Sequence, residues 1–270
     1  MPASPSASSE PAIITRLRAA GCVFAEDEAR LIISTARTPA EVSAMVDRRI
    51  AGLPLEHVLG WAAFCGLRIA VEPGIFVPRR RTEFLARQAA ALAGPRAVVV
   101  DLCCGSGAVG AAVAAAGSGI ELHAVDIDPA AVRCARRNVA PAGGHVYAGD
   151  LYQPLPATIR GRVSVLVANV PYIPTGEIRL LPAEAREHEP RVALDGGADG
   201  LDVLRRVASA APLWLAPGGH LLIETSEGQV PRAVAAMARS GLIPSVARSG
   251  ELSATVLIGT SPAAGSAPGS

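Results

Sequence analysis

Asn169, Val170, Pro171 and Tyr172 are the residues of this chain whose types and order best suit chemistry, because together they can hold a planar NH2 group. Pro171 disfavours the α region at Val170, so the backbone between Asn169 and Pro171 is extended. In that shape the Val170 carbonyl and the Asn169 side-chain oxygen both point into a cleft as acceptors, and Tyr172 supplies an aromatic wall. Two acceptors match the two hydrogens of an amide or an exocyclic amine. The same four residues also read as a strand running into an ordinary Asn-x-Pro turn, so their surroundings have to decide.

The element that positions them is the run Val163–Ala168, apolar and β-branched without a helical period, as in a central parallel strand covered on both faces. Asn169 then falls at the carboxyl edge, where open α/β sheets bind ligands. Upstream, Val98-Val99-Val100-Asp101-Leu102 runs into Cys103-Cys104-Gly105-Ser106-Gly107 and an alanine-rich helix. Gly105 and Gly107 let backbone approach a ligand, and the helix start offers free N–H groups. The spacing differs from the dinucleotide Gly-x-Gly-x-x-Gly, which weakens a redox enzyme on the same sheet as the rival reading. The next strand ends in Asp126, about twenty residues after the turn, placed to accept both hydroxyls of a ribose. A third ends at Gly149-Asp150-Leu151, where Asp150 can accept from an adenine amino group and Leu151 can pack on the ring. This set predicts a site for S-adenosyl-L-methionine built from Asp101, Cys103, Cys104, Gly105, Ser106, Gly107, Asp126, Asp150, Leu151 and Asn169. Asp128 with Pro129 reads as a helix cap.

Alternating apolar runs and helical stretches predict strands at 97–102, 120–125, 145–148, 163–168, 219–224 and 254–259, with helices near 107–116, 129–139, 199–214 and 228–239. That is an α/β, doubly wound, mostly parallel sheet. Before it, 11–54 reads as a small module of two or three amphipathic helices broken at Gly21 and Thr38-Pro39, and 55–80 as a β-hairpin linker into a catalytic domain over 81–260. Residues 1–10 and 261–270, rich in Pro, Ala and Ser, read as disordered tails. Arg79-Arg80-Arg81 reads as a solvated surface run rather than a ligand contact.

A net charge of +1 argues against a protein that coats nucleic acid. Every basic side chain is arginine, which excludes Schiff-base lysine chemistry and a phosphate-loop lysine. Cys22, Cys65, Cys103, Cys104 and Cys134 are odd in number and lack a Cys-x-x-Cys pair, so reduced thiols are expected, with no disulfide framework and no metal, a zinc site with His123 included. With no leader pattern and no long apolar run, a soluble cytoplasmic protein, without membrane contact, is expected.

Taken together, these stretches resemble the bacterial protein-(glutamine-N5) methyltransferases of the release-factor type, over roughly residues 53–260. Leu55-Glu56-His57-Val58-Leu59-Gly60 with Phe64, Pro73 to Arg79 with Thr82-Glu83, Glu189 to Gly197 with Asp199-Gly200-Leu201, and Glu224 with Gln229 carry the likeness beside Asn169-Val170-Pro171-Tyr172. The resemblance implies a seven-stranded sheet of the class I methyltransferase type and methylation of a glutamine amide nitrogen in a protein, a release factor's Gly-Gly-Gln loop or a related acceptor. It also implies a monomeric enzyme with the N-terminal module gripping its substrate. The chain departs from the family pattern in three places: Val170 stands for a proline, Cys103-Cys104 for Gly and Thr, and Arg80-Arg81 for Pro and Glu. Two other functions stay open at this stage, methylation of an exocyclic adenine amine in nucleic acid and a non-catalytic binding module on the same fold.

Overall fold

The computed structural model describes residues 9–263, so most of the two predicted tails lies outside the described residues. Where they overlap it, Glu10 already opens the first helix.

Three helices, α1 (Glu10–Ala19), α2 (Ala25–Thr35) and α3 (Pro39–Ile50), form the N-terminal module. Thr38 caps α3 by accepting from the Glu41 N–H at 3.2 Å, and Pro39 occupies the first turn, where a missing N–H costs nothing. The core of this module, with Ile13, Leu17, Ile32 and Val46 buried, also takes in Leu59 and Trp61 from the segment that follows. The predicted hairpin is shorter than 55–80. Leu55–Leu59 is a helix, α4, and only β1 (Trp61–Phe64) and β2 (Leu67–Ala70) pair. The cause is local: Gly60 ends α4 in the left-handed conformation at φ +81°, and its preceding residues Glu56, His57 and Leu59 lack the alternation of a strand.

After α5 (Glu83–Leu92) comes the doubly wound unit: β3 (Val98–Leu102), α6 (Ala108–Ala116), β4 (Glu121–Asp126), α7 (Pro129–Val139), β5 (His145–Ala148), β6 (Val163–Ala168), α8 (Ala183–His188), α9 (Asp202–Ala210), β7 (Leu215–Thr225), α10 (Val230–Arg239), β8 (Ile243–Ser249) and β9 (Ala254–Thr260). The seven strands lie in the order β5-β4-β3-β6-β7-β9-β8, parallel through β7, with β9 antiparallel to both neighbours. β8 is the strand missing from the sequence reading. It is a half-exposed edge strand carrying Pro244, a residue tolerated at edges, so it shows neither a buried run nor a clean alternation. Apolar side chains cover both faces of the sheet, Leu204, Val207, Ala233 and Met237 on one side and Leu85, Ala89, Val109 and Val113 on the other.

The strand order reverses between β3 and β6, and register then determines which residues meet there. Leu102 lies opposite Ala168 on one side and Val125 on the other, and Ala168 lies opposite Ile223. Cys103, Asn169, Asp126 and Glu224, each the residue at or just beyond those pairs, therefore emerge along one edge. That edge is the topological switch point at which open α/β sheets bind ligands.

Candidate active site

A cavity of about 690 Å³ opens over this edge. Asp101, Cys103, Cys104, Gly105, Ser106, Asp126, Asp150 and Leu151 line one end of it, and Asn169, Val170, Pro171 and Tyr172 the other. Gly107 alone of the predicted set does not line it. Its φ of +78° starts α6, and a Cβ there would meet Val139 and Ala135 of α7 at 3.1–3.3 Å, so its place is in helix packing.

At the glycine turn the polar groups hold one another. Asp126 Oδ2 accepts from the Gly105 N–H at 2.8 Å and Oδ1 from the Asp128 N–H at 2.9 Å, while Asp128 caps α7. Burial nevertheless raises the Asp126 carboxyl above its ordinary range, those N–H groups opposing the rise. Asp101, wholly buried, is pushed up to about 7 by desolvation, against the Gly110 N–H that it accepts at 2.8 Å. A Cβ at Gly110 would lie 3.0 Å from Asp101 Oδ2, so glycine there leaves room for that approach. Asp150 keeps one oxygen clear, the other accepting from Arg206 Nη2 at 2.5 Å.

The other end is different. The Asn169 side-chain amide makes no hydrogen bond, and its Oδ1 is buried without a partner. Among the described residues no donor reaches the Val170 carbonyl either. The Val170 side chain is buried in the core beneath. The Tyr172 carbonyl is pinned by Gln229 Nε2 at 2.9 Å, and the same Nε2 reaches the Asp199 carbonyl at 3.2 Å. The Tyr172 hydroxyl accepts from Arg81 Nη2, and Arg81 Nε lies 3.1 Å from Glu224 Oε1. Burial pushes the Tyr172 hydroxyl up to about 12 and raises the Glu224 carboxyl, with Arg81 opposing both.

A family model described as a methyltransferase small domain matches residues 67–181. A release factor glutamine methyltransferase from Geobacter sulfurreducens is 38% identical over 208 residues, 75% of this chain and 72% of that protein. The chain belongs to that family. A 4-amino-L-phenylalanine/4-methylamino-L-phenylalanine methyltransferase from Streptomyces pristinaespiralis is 37% identical over 192 residues, 68% of this chain and 65% of that protein. In fold, a methyltransferase from Pyrococcus furiosus superposes with a TM-score of 0.55 at 17% identity, over 73% of this chain and 90% of that one.

The methyltransferase accommodates each departure from the family pattern. Cys103 takes a φ of +54°, the left-handed region that favours glycine, so a glycine's conformation is held here by a larger residue. Val170 places its side chain in the core and leaves its carbonyl unengaged. The arginine run is not a solvated surface, which corrects the sequence reading. Arg79 donates to both oxygens of buried Glu189 at 2.6 Å, and Arg81 bridges Glu224 and Tyr172; only Arg80 reaches no buried group, its side chain 81% exposed. Their partners lie 91 or more residues along the chain, so no local pattern shows them.

Sequence reasoning also passed over Asn138, which accepts from the Ala70 N–H at 2.8 Å and donates to the Ala70 and Ser106 carbonyls at 2.9 and 2.8 Å. It ties the hairpin to the glycine turn. The available signal was an asparagine in the last turn of a helix, a residue that competes with helical hydrogen bonding and so asks for another reason to be there. The five cysteines are free and dispersed, and no cluster of metal-ligating side chains occurs among the described residues. No helix among them is long and apolar enough to cross a membrane.

Proposed function

We propose that this methyltransferase uses S-adenosyl-L-methionine to methylate the side-chain amide nitrogen of a glutamine in a protein, a release factor being the acceptor that its relatives' names indicate. The observation that carries the proposal is the buried, partnerless Asn169 Oδ1 beside the unengaged Val170 carbonyl, in the cavity shared with Gly105 and Asp126. A buried acceptor without a donor costs about 1–3 kcal/mol, so a ligand N–H that reached it would recover that loss.

The residues at the Asp126 end fit the cofactor. Each Asp126 oxygen accepts one backbone N–H, which leaves lone pairs for two ribose hydroxyls. Asp150 retains an oxygen for an adenine amino group, and Leu151 offers an apolar face. Bound there, the cofactor supplies a methyl group on a positively charged sulfur.

An amide nitrogen is a weak nucleophile, its lone pair being shared with the carbonyl. Asn169 Oδ1 and the Val170 carbonyl accept its two hydrogens, orient the nitrogen and stabilise the positive charge that grows on it as it is alkylated. The nitrogen becomes acidic in the same step, so no strong base is needed beforehand. The Tyr172 ring walls the site, steadied through its carbonyl by Gln229 and through its hydroxyl by Arg81.

The test is mass spectrometry of tryptic peptides from a release factor incubated with the enzyme and labelled cofactor. Label on the glutamine of the Gly-Gly-Gln loop is the expected result; label on another residue, or none, overturns it. The relative that methylates an aromatic amine favours a second reading, a small arylamine acceptor held by the same two oxygens, and the same labelled cofactor offered with 4-amino-L-phenylalanine decides between them.

A further inference from the structure

Arg81 lines the acceptor end of the cavity and is held on two sides, by Glu224 at its Nε and by the Tyr172 hydroxyl at its Nη2. Its guanidinium carbon lies 5.6 Å from the centre of the Tyr172 ring, and 47% of its side chain is exposed. Nη1 has no partner among the described residues. Of the glutamates that line the cavity, Glu184 and Glu189 are committed to Arg49 and Arg79, and Glu56 forms no ion pair with Arg81. Glu224 itself is 3% exposed and approaches through Nε, so it orients the group from behind without covering its outward edge. Because Ala168 and Ile223 are register partners, Glu224 and Asn169 leave adjacent strands side by side. The unused N–H groups of Arg81 are thus presented next to the place where the acceptor's NH2 is held.

A guanidinium is always charged, donates only, and matches the planar pair of oxygens of a carboxylate. One already immobilised by a carboxylate and a phenol loses little further freedom on binding. We propose that Arg81 is a specificity-determining residue that binds a carboxylate carried by the methyl acceptor close to the nitrogen to be methylated. This rests on the reading that the acceptor nitrogen sits at Asn169. The carboxylate has two sources, the α-carboxylate of a free amino acid or an acidic side chain following the glutamine of a protein loop.

The experiment is calorimetric titration of the enzyme saturated with S-adenosylhomocysteine, using two matched pairs of probes. One pair is L-glutamine and its α-amide. The other is the end-capped peptides Gly-Gly-Gln-Asp-Gly and Gly-Gly-Gln-Asn-Gly. The wild type is expected to bind the carboxylate member of at least one pair about tenfold more tightly, as a charge-assisted hydrogen bond provides. Arg81→Gln should bring the members of that pair to equal affinity, Arg81→Lys should restore part of the preference, and both variants should keep wild-type affinity for S-adenosylhomocysteine. Preference within the glutamine pair assigns the carboxylate to a small molecule, and within the peptide pair to a protein loop. No preference in either pair, no binding at all, or a preference that survives in Arg81→Gln overturns the proposal. When the same mixtures are supplied with S-adenosylmethionine, discrimination without methyl transfer to the probe's nitrogen would overturn the acceptor reading at Asn169 and leave standing only that Arg81 binds a carboxylate.

Discussion

At the Asp126 end of the cavity the polar groups are engaged by the chain itself: Asp126 by two N–H groups, Asp101 by Gly110, one oxygen of Asp150 by Arg206 and the glycine turn by Asn138. At the Asn169 end they are not. There Asn169 Oδ1 is buried without a hydrogen-bond partner among the described residues. The contrast teaches a division of labour. One end is held together by its own chain, and the other leaves a buried oxygen unpaired, which on the proposed reading an acceptor's N–H would fill.

Removing that reserve should have the largest effect. Asn169→Ala is expected to lower the methyl-transfer rate by roughly 10²–10³-fold, the scale of losing one preorganised polar contact to a charge that develops in the transition state. Affinity for S-adenosylhomocysteine should stay within about threefold, because the Asp126 end is untouched, and a difference of that size is well under 1.4 kcal/mol. Single-turnover transfer and calorimetry on one preparation check both, and an equal loss in the two would dissolve the division between the ends.

The scaffold that holds Tyr172 comes next. Gly200 has a φ of +75°, and a Cβ there would press on the Tyr172 carbonyl and Gln229 Nε2. Gly200→Ala combines backbone strain with overpacking and should destabilise by about 3 kcal/mol, read as a lower urea midpoint at unchanged slope. Arg79→Ala leaves the Glu189 carboxylate, 1% exposed, with only the Val77 N–H at 3.1 Å. Breaking a fully buried pair costs about 3–5 kcal/mol, and because a third of Arg79 is in water a loss nearer 2 kcal/mol is expected. The same denaturation curves measure it.

The Asp126 end is sharpened by pH. Burial holds the Asp101 carboxyl near 7 in the folded protein against an ordinary 3.8, so the unfolded chain gives up this proton first as pH rises. The contribution of Asp101 to stability therefore declines across the window from about 4 to about 7 and is level above it, at no more than about 1.4 kcal/mol per pH unit. Asp101→Asn, which keeps an oxygen for the Gly110 N–H, should remove that slope. Urea midpoints of the two proteins across the window, diverging in favour of Asp101→Asn as pH rises, are the expected result, and parallel curves would show that Asp101 is not buried as a protonated acid.

The same two-ended contrast explains what the chain reveals before it is folded. The Asp126 end was legible because strand, glycine turn and terminal acid are local signals, each within ten residues of itself. Asn169-Val170-Pro171-Tyr172 was legible for the same reason. The supports of the acceptor end were not, since Gln229 reaches Tyr172 and Arg79 reaches Glu189 only after the sheet has brought distant segments together. β8 was hidden by half-exposure and Pro244, and α4 by a run of five residues too short to show a helical period. Local chemistry survives in a sequence; long-range partnership does not.

Arg80 provides the smallest effect and the strictest control on that last point. Sequence alone gives three equivalent arginines, yet the structure separates them by where the short turn Arg80–Thr82 points each side chain. Arg79 and Arg81 turn inward onto the buried carboxylates Glu189 and Glu224, while Arg80 stands in solvent, 4.0 Å from an equally exposed Glu251. An exposed pair at that distance contributes little after screening and side-chain entropy, so Arg80→Ala should change stability by less than about 0.5 kcal/mol. It should also leave turnover alone, because Arg80 is not among the residues lining the cavity. Measured beside Arg79→Ala, this substitution tests whether position on the turn, rather than the density of positive charge, sets the role of each arginine; a comparable loss in both would return the run to a shared electrostatic function.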